Sequence, residues 1–310
     1  MLGSQPPPAG AGGHSRTESA SGPWPSAGVN PGVSPRGHRL PRVLAVTNLY
    51  PTPLHPTLGT FVERQVQGLR EIGVEVEVYY VDRAGAGMST YWGLGRKVRD
   101  AARETDSDIV HVMYGGVMAD QVTRAVRDRP LVASFCGSDL LGQPLSGWRR
   151  KAISGFGIVA SHSAARRADG IVVKSENLRA ALPRAVRSHR VRVIPNGVDL
   201  ARFAPLDRDW CRKLLDWRPD AFHVLFATNH GDPRKRPGLA VAAVEHLVHR
   251  GVAARLHVLR CVPHEEVPVW LNASDVLLLT SLHEGSPNVV KEALACDVAV
   301  VSVDVGDVRE

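Results

Sequence analysis

The stretch from Ser281 to Glu292, SLHEGSPNVVKE, joins an apolar run to an amphipathic one and gathers groups that bind hydroxyls and phosphates. Ser286 predicts an N-cap and Pro287 a first helical residue. The unbonded amides of such a helix start, together with the positive end of its dipole, favour a phosphate or a sugar oxygen. Gly285 lacks a Cβ, so its backbone can be approached closely. Asn288 and Glu292 stand one helical turn apart on one face, while Val289, Val290, Ala293 and Leu294 can pack inward. Glu284 sits at the mouth. Two carboxylates, each accepting two hydrogen bonds, suit the vicinal hydroxyls of a sugar ring and of a ribose, as a nucleotide sugar presents them. The plainer reading makes both ordinary carboxylates held near a helix end by the dipole.

Rival chemistries are placed less well. The D-x-D triplets Asp106 to Asp108 and Asp207 to Asp209 stand before a strand and in a polar connection, not at the carboxyl end of a buried strand, so no metal site is expected. Cys136, Cys211, Cys261 and Cys296 include no C-x-x-C pair, which argues against a zinc site or disulfide framework and fits a reducing cytoplasm. His111, inside an apolar run, reads as a satisfied core histidine. Gly93-x-Gly95 follows no strand and is no dinucleotide fingerprint.

These groups need a scaffold, and the texture of the chain supplies one. Met1 to Pro41 holds eight Gly and eight Pro and is expected to be disordered. From Arg42, apolar runs alternate with amphipathic stretches, the pattern of parallel strands and crossover helices. Strands are expected at Arg42 to Asn48, Val74 to Val81, Asp108 to Met113, Leu131 to Phe135, Gly170 to Val173 and Val191 to Ile194, with a helix from Thr60 to Ile72 closed by Gly73. A second alternation runs from Phe222 to Val303. The expectation is an α/β chain with a first Rossmann-like domain over 42–200 and a second over 201–310, a cleft lying between the carboxyl ends of their sheets. The second unit looks unfinished at Glu310, which would leave an apolar strand face and a ladder edge open to aggregation or proteolysis.

Composition narrows the partners. The 310 residues carry 38 Lys and Arg against 31 Asp and Glu, a net charge of +7, and 44% hydrophobic residues. This is a globular balance with an affinity for phosphate-bearing partners. No run approaches a membrane span, and no signal peptide is recognisable. Basic residues at Arg149, Arg150, Lys151, Arg166, Arg167, Arg184, Arg187, Arg190 and Arg192, beside Trp148, suggest a solvated face or contact with an anionic membrane surface. No base-reading module accompanies them, so nucleic acid is not an expected partner.

HEGSPNVVKEALACDVAVVSVDVGDV resembles the E-x7-E region of the family 4 retaining glycosyltransferases, and IPNGVDLARFAP, Ile194 to Pro205, resembles that family's inter-domain passage. NLYPTPLHPTLGTFVERQVQGL resembles its first strand, glycine loop and helix, and DIVHVMYGG and SFCGSDLLG resemble later strand ends. The resemblance covers nearly all of Arg42 to Glu310 and is closest to enzymes of teichuronic-acid-type surface polysaccharide assembly. It implies a GT-B fold, with the donor in the second domain and a carbohydrate or lipid-linked acceptor on the first. By position, Glu284 would contact donor-sugar hydroxyls, the backbone from Gly285 through Ser286, Pro287 and Asn288 to Val289 would meet sugar and diphosphate, and Glu292 would bind the ribose. Arg234 and Lys235, in GDPRKRP, fall where the family places a diphosphate-binding lysine. Gly59, Cys136 and Asp139 fall on the acceptor side, Asp139 as a sugar-bonding carboxylate. Glu284, Lys235 and Asp139 are the implied catalytic set, without metal or other cofactor.

The chain departs from the family pattern at Asn229, where a second cation is common, at Cys136, where many members have histidine, and in its early end. A non-catalytic nucleotide-sugar-binding fragment and a nucleotide-sugar epimerase of the same architecture are the alternatives. The expected location is cytoplasmic, with peripheral contact at the inner membrane face.

Overall fold

The computed structural model describes residues 39–55, 58–143, 147–186, 190–228 and 232–310. Nearly all of the Gly/Pro-rich start, and Arg187 and Asn229, lie outside the described residues. The first half builds one parallel sheet from β1 (Val43–Thr47), β2 (Val76–Tyr80), β3 (Ile109–Met113), β4 (Leu131–Phe135), β5 (Gly170–Val173) and β6 (Val191–Val193), in the order β2-β1-β3-β4-β5-β6. The second half adds β7 (Phe222–Ala227), β8 (Ala254–Leu259), β9 (Val276–Leu279) and β10 (Ala299–Ser302), ordered β10-β9-β7-β8 and again parallel throughout. Both are the doubly wound arrangement expected of the sequence, and each reverses direction at its first strand. β1 lies between β2 and β3, and β7 between β8 and β9, so each sheet opens a crevice at the carboxyl end of that strand.

Strand β1 shows why. VLAVT is buried at all five positions, as a parallel strand with helices over both faces must be. Leu44 and Val46 point one way, into a core shared with Val98, Val122, Phe135 and Ala164. Val43 and Ala45 point the other way and pack with Val62, Val66 and Met113. The helices over these faces are α1 (Thr60–Glu71), α3 (Leu94–Glu104), α4 (Gly116–Ala125) and α6 (Trp148–Arg167); short pieces α2 (Arg83–Ala86), α5 (Ser138–Leu141) and α7 (Glu176–Ala181) fill the loops. Each fully buried Val or Phe contributes about 1.5 to 3 kcal/mol. Gly95 permits the close approach of α3 and α4, because a Cβ there would stand 2.6 Å from the Gln121 carbonyl.

The second core gathers Leu225, Leu271, Leu277, Leu279, Val290 and Ala293. Its helices are α8 (Arg208–Leu214), α9 (Pro237–His249), α10 (Val267–Ala273) and α11 (Asn288–Ala295). Phe203, fully buried, belongs to this core, and so does the partly buried Val198, so the chain has joined the second unit soon after leaving β6. Asp275 ties the unit's entry down, accepting from Arg212 at 2.8 Å, Arg208 at 3.2 Å and the His223 amide at 2.7 Å.

Leu131–Phe135 and Gly170–Val173 form strands with the bounds expected, whereas Val74 to Val81 shortens by three residues to Val76–Tyr80. One boundary matters for function. Helix α11 begins at Asn288 with Pro287 as its cap residue, not with Ser286 as cap and Pro287 inside. The Ser286 hydroxyl is drawn away to Asp307, at 2.7 Å, so no side chain caps this helix.

Candidate active site

The carboxyl ends of the two sheets face each other across a narrow cleft. The two walls approach closely at Gly285, where a Cβ would lie 2.1 Å from the Cys136 carbonyl oxygen. Only glycine fits there, and Asn177 adds a hydrogen bond to the Glu284 carbonyl at 3.1 Å. Asn196 donates to the Asn288 side chain at 3.1 Å, and Lys291 to the Asn196 carbonyl at 3.2 Å.

On the second-domain side, two loops are sewn together. The Leu282 amide donates to the Arg234 carbonyl at 2.8 Å and the Thr280 hydroxyl to the Lys235 carbonyl at 2.6 Å. Arg236, in left-handed backbone at φ 48°, donates to the Thr280 carbonyl at 2.5 Å. This stitching brings Lys235 Nζ to 2.7 Å from Glu284 Oε1, which also accepts from Ser281 at 2.6 Å. Arg234 is bonded to Asp232 at 2.7 Å. That hydrogen bond, with further negative charge at Asp232 and Glu284, holds the guanidinium above its ordinary pKa despite burial. A small pocket of about 160 Å³ is lined by Arg234, His283, Glu284 and Gly285 on this side and by Phe61, Tyr114, Cys136, Gly137 and Ser138 on the other. His283 Nδ1 is buried with no partner among the described residues, and burial, reinforced by Arg234, pushes its imidazole toward the neutral form.

On the first-domain wall, the structure gives Asp139 a different task from the one its sequence position implied. Its carboxylate is buried and accepts from the amides of Gly115 at 2.9 Å, Gly137 at 2.7 Å and Cys136 at 3.1 Å. Burial raises its pKa and those amides oppose the rise. It therefore clamps the β3 and β4 loop ends; its oxygens are occupied and do not face a sugar. Cys136 presents a thiol whose pKa burial, with Asp139, pushes up to about 12, so it is a neutral lining group. Tyr114 is held at φ 113°, a strained backbone for a bulky residue, and its hydroxyl bonds Ser138 at 2.8 Å. Gly59 stands at φ 70° against the Leu49 backbone and opens α1, so it shapes the cleft edge without lining it.

Glu292 faces a larger cavity of about 630 Å³, shared with Arg64, Lys174, Asn196, His264 and Asn288. Its Oε1 lies 3.4 Å from His264 Nε2. Arg64, from α1, reaches across to His264 Nδ1 at 3.0 Å. A guanidinium can only donate, so Nδ1 accepts and Nε2 carries the proton that points to Glu292. Lys174, buried at the end of β5, donates to Gln65 at 3.3 Å, and burial lowers its pKa.

Of the residues singled out in the sequence, Arg234, Glu284, Gly285 and Cys136 thus line the small pocket, Lys235 is joined to it through Glu284, and Asn288 and Glu292 line the larger one. Ser286, Pro287 and Val289 form the bend and first turn between them. Arg64, Tyr114, Lys174, His264 and His283 were missed. His283 could have been found, since it precedes Glu284 in the key string; Arg64 and His264, 200 positions apart, are joined only by the fold. The D-x-D triplets lie elsewhere: Asp106 pairs with Arg42 at 2.7 Å before β3, and Asp207 caps α8 through the Trp210 amide at 2.7 Å. His111 bonds Ser134 at 2.7 Å and is buried, the core histidine expected.

Residues 58–202 match the family described as Glycosyltransferase Family 4, and residues 213–310 match Glycosyl transferases group 1. The two halves of the chain thus resemble two glycosyltransferase families, one for each sheet. Among curated relatives, a D-inositol 3-phosphate glycosyltransferase of Paenarthrobacter aurescens is 30% identical over 145 residues, 38% of this chain and 36% of that protein. One from Streptomyces bingchenggensis is 32% identical over 151 residues, 37% and 33% of the two chains. The matched part spans about a third of those relatives, so what they act on is not carried over by the match. The fold agrees with sucrose-phosphate synthase from Thermosynechococcus elongatus, TM-score 0.66 and 17% identity over 86% of this chain and 82% of that one. It agrees also with Anabaena HepE in complex with UDP and glucose, TM-score 0.61 and 19% identity over 86% and 81%. Both share the GT-B architecture of two facing parallel sheets.

Proposed function

We propose that this glycosyltransferase moves a sugar, with retention, from a nucleoside diphosphate to a carbohydrate or lipid-linked acceptor in the assembly of a cell-surface polysaccharide. The observation that carries the reading is that Arg234 and Glu284 line one small pocket, with Lys235 paired to that Glu284 at 2.7 Å and Glu292 lining the larger cavity. A diphosphate would draw the two cations, and freed from Lys235 the Glu284 carboxylate would accept from donor-sugar hydroxyls. Glu292, oriented by His264, would take the ribose diol. No protein nucleophile is assigned. The bond from the anomeric carbon to the phosphate oxygen breaks while the acceptor oxygen bonds on the same face, and the acceptor proton passes to the departing phosphate. Positioning in the cleft, and Arg234 and Lys235 against the charge growing on that phosphate, supply the rate. Removing such a cation by Lys235→Ala is expected to cut kcat by about 10² to 10³-fold. The cationic pair does the work a metal would do, so turnover is expected to survive EDTA.

Product analysis by NMR, with UDP and GDP sugars and a panel of acceptors, tests the reading. A new glycoside with the donor's anomeric configuration supports it. A changed free donor sugar would make the protein an epimerase, binding without turnover would make it a nucleotide-sugar binder, and an inverted product or strict metal dependence would remove the mechanism.

A further inference from the structure

Helix α6 has two halves with different surroundings. Its later half buries Ala160, Ser161, Ala164 and Ala165. Its first three turns leave four large apolar side chains in water: Trp148 at 76% exposure, Ile153 at 64%, Phe156 at 63% and Val159 at 64%. At about 100° per residue these four fall within an arc of about 140°, opposite the face that carries Ser154, Ile158 and Ser161 into the fold. Lys151 lies beyond one edge of the arc and Arg150 beyond the other. Arg149 lies within it, its guanidinium 5.3 Å from the centre of the Trp148 ring, with an aliphatic stem able to lie along the apolar face. None of the three forms an ion pair among the described residues. The chain carries no Asp or Glu from Leu140 to Ala168.

A single exposed leucine means little, but an apolar arc flanked by cations on an acid-free helix matches an anionic lipid surface, with the apolar side chains seated at the acyl boundary and the cations at headgroup level. Three of the other basic residues singled out in the sequence are engaged elsewhere: Arg167 pairs with Asp120 at 2.8 Å, Arg190 donates to the Ala168 carbonyl at 2.9 Å and Arg192 to the Val191 carbonyl at 3.2 Å. No helix among the described residues is long and apolar enough to cross a membrane.

The helix is also wired to the cleft. Ser154 accepts from the Gln143 amide at 3.1 Å, and Ser161 donates to the Asp139 carbonyl at 2.7 Å while accepting from the Gly116 amide at 2.7 Å. Its exposed half thus stands on the loop that runs from Cys136 through α5, the first-domain wall of the small pocket. We infer that the Trp148–Ile153–Phe156–Val159 face of α6 docks this protein on an anionic bilayer and presents the cleft to a lipid-linked acceptor. The acceptor half of this inference rests on the proposed glycosyl transfer.

Co-sedimentation of the full chain with vesicles of phosphatidylcholine alone, or with about one part in four phosphatidylglycerol, tests it. Binding is expected only to the anionic vesicles. Trp148→Ser and Phe156→Ser should each weaken it by about tenfold or more. Joint Arg149→Gln, Arg150→Gln and Lys151→Gln should weaken it by about a hundredfold at low salt. All should leave the affinity for free nucleotide unchanged. Absent binding, or binding undiminished by the two serine variants, would overturn the inference, as would a dimer that those variants dissolve in sedimentation velocity without any vesicle binding. Donor titration on the same samples separates the two readings: intact donor binding with no vesicle binding removes the membrane face alone, and the reverse removes the glycosyl-transfer reading alone.

Discussion

Asp139 illustrates how a polar side chain buried beside a cleft can act on it without touching substrate, and His111 how one buried within a strand ties stability to pH. Asp139 satisfies three amides at the ends of β3 and β4. Asparagine would turn an N–H toward one of them, so Asp139→Asn is expected to cost about 1 to 3 kcal/mol of stability and to lower turnover while sparing free-nucleotide affinity. Thermal melts and calorimetry read the two effects separately. Burial, with Lys174 adding, brings the His111 pKa from 6.5 to about 4. The unfolded chain then takes up a proton as pH falls through 6.5 and the folded one does not, so stability present above pH 6.5 is lost between 6.5 and about 4. The loss is on the order of 3 kcal/mol. Asp139, with its pKa raised, works in the opposite direction, so the decisive quantity is a difference. His111→Gln should flatten this part of the stability profile, and an unchanged slope would count against the assignment.

At the scale of elements, the strands were legible because their side chains report burial directly: five apolar residues in VLAVT leave little choice. The carboxylates of the E-x7-E string were legible because both lie beside one turn. The start of α11 was not, since Ser286 is a good cap by type yet its hydroxyl is claimed by Asp307, and that competition is settled by tertiary contact. Asp139 misled for the same reason: sequence shows a carboxylate near a strand end, not the three amides that surround it. Gly285 was legible as a point of close approach, though what approaches is the protein's own Cys136 carbonyl. Gly285→Ala is therefore expected to prop the two sheets apart. Small-angle scattering should show a larger radius of gyration, with kcat/KM down by about 10²-fold. A variant as compact and active as the parent would show that the contact is not part of the working state.

At the scale of the molecule, two parallel sheets turn their carboxyl ends toward each other, and the groups assigned to the donor lie on the loops and the helix start that follow the second sheet's strands. The latch from Arg64 through His264 to Glu292 spans both units and makes the ribose carboxylate sensitive to cleft closure. The central claim is that one nucleotide sugar lies along this cleft, ribose at Glu292 and sugar at Glu284. Calorimetric titration of the free nucleoside diphosphate and of its sugar, into the parent chain and into Glu292→Gln and Glu284→Gln, tests it most directly. Glu292→Gln should weaken both ligands alike, whereas Glu284→Gln should spare the free nucleotide and lose about 1 to 3 kcal/mol of the sugar-dependent affinity. Equal losses on the free nucleotide from both substitutions, or none from either, would contradict the account.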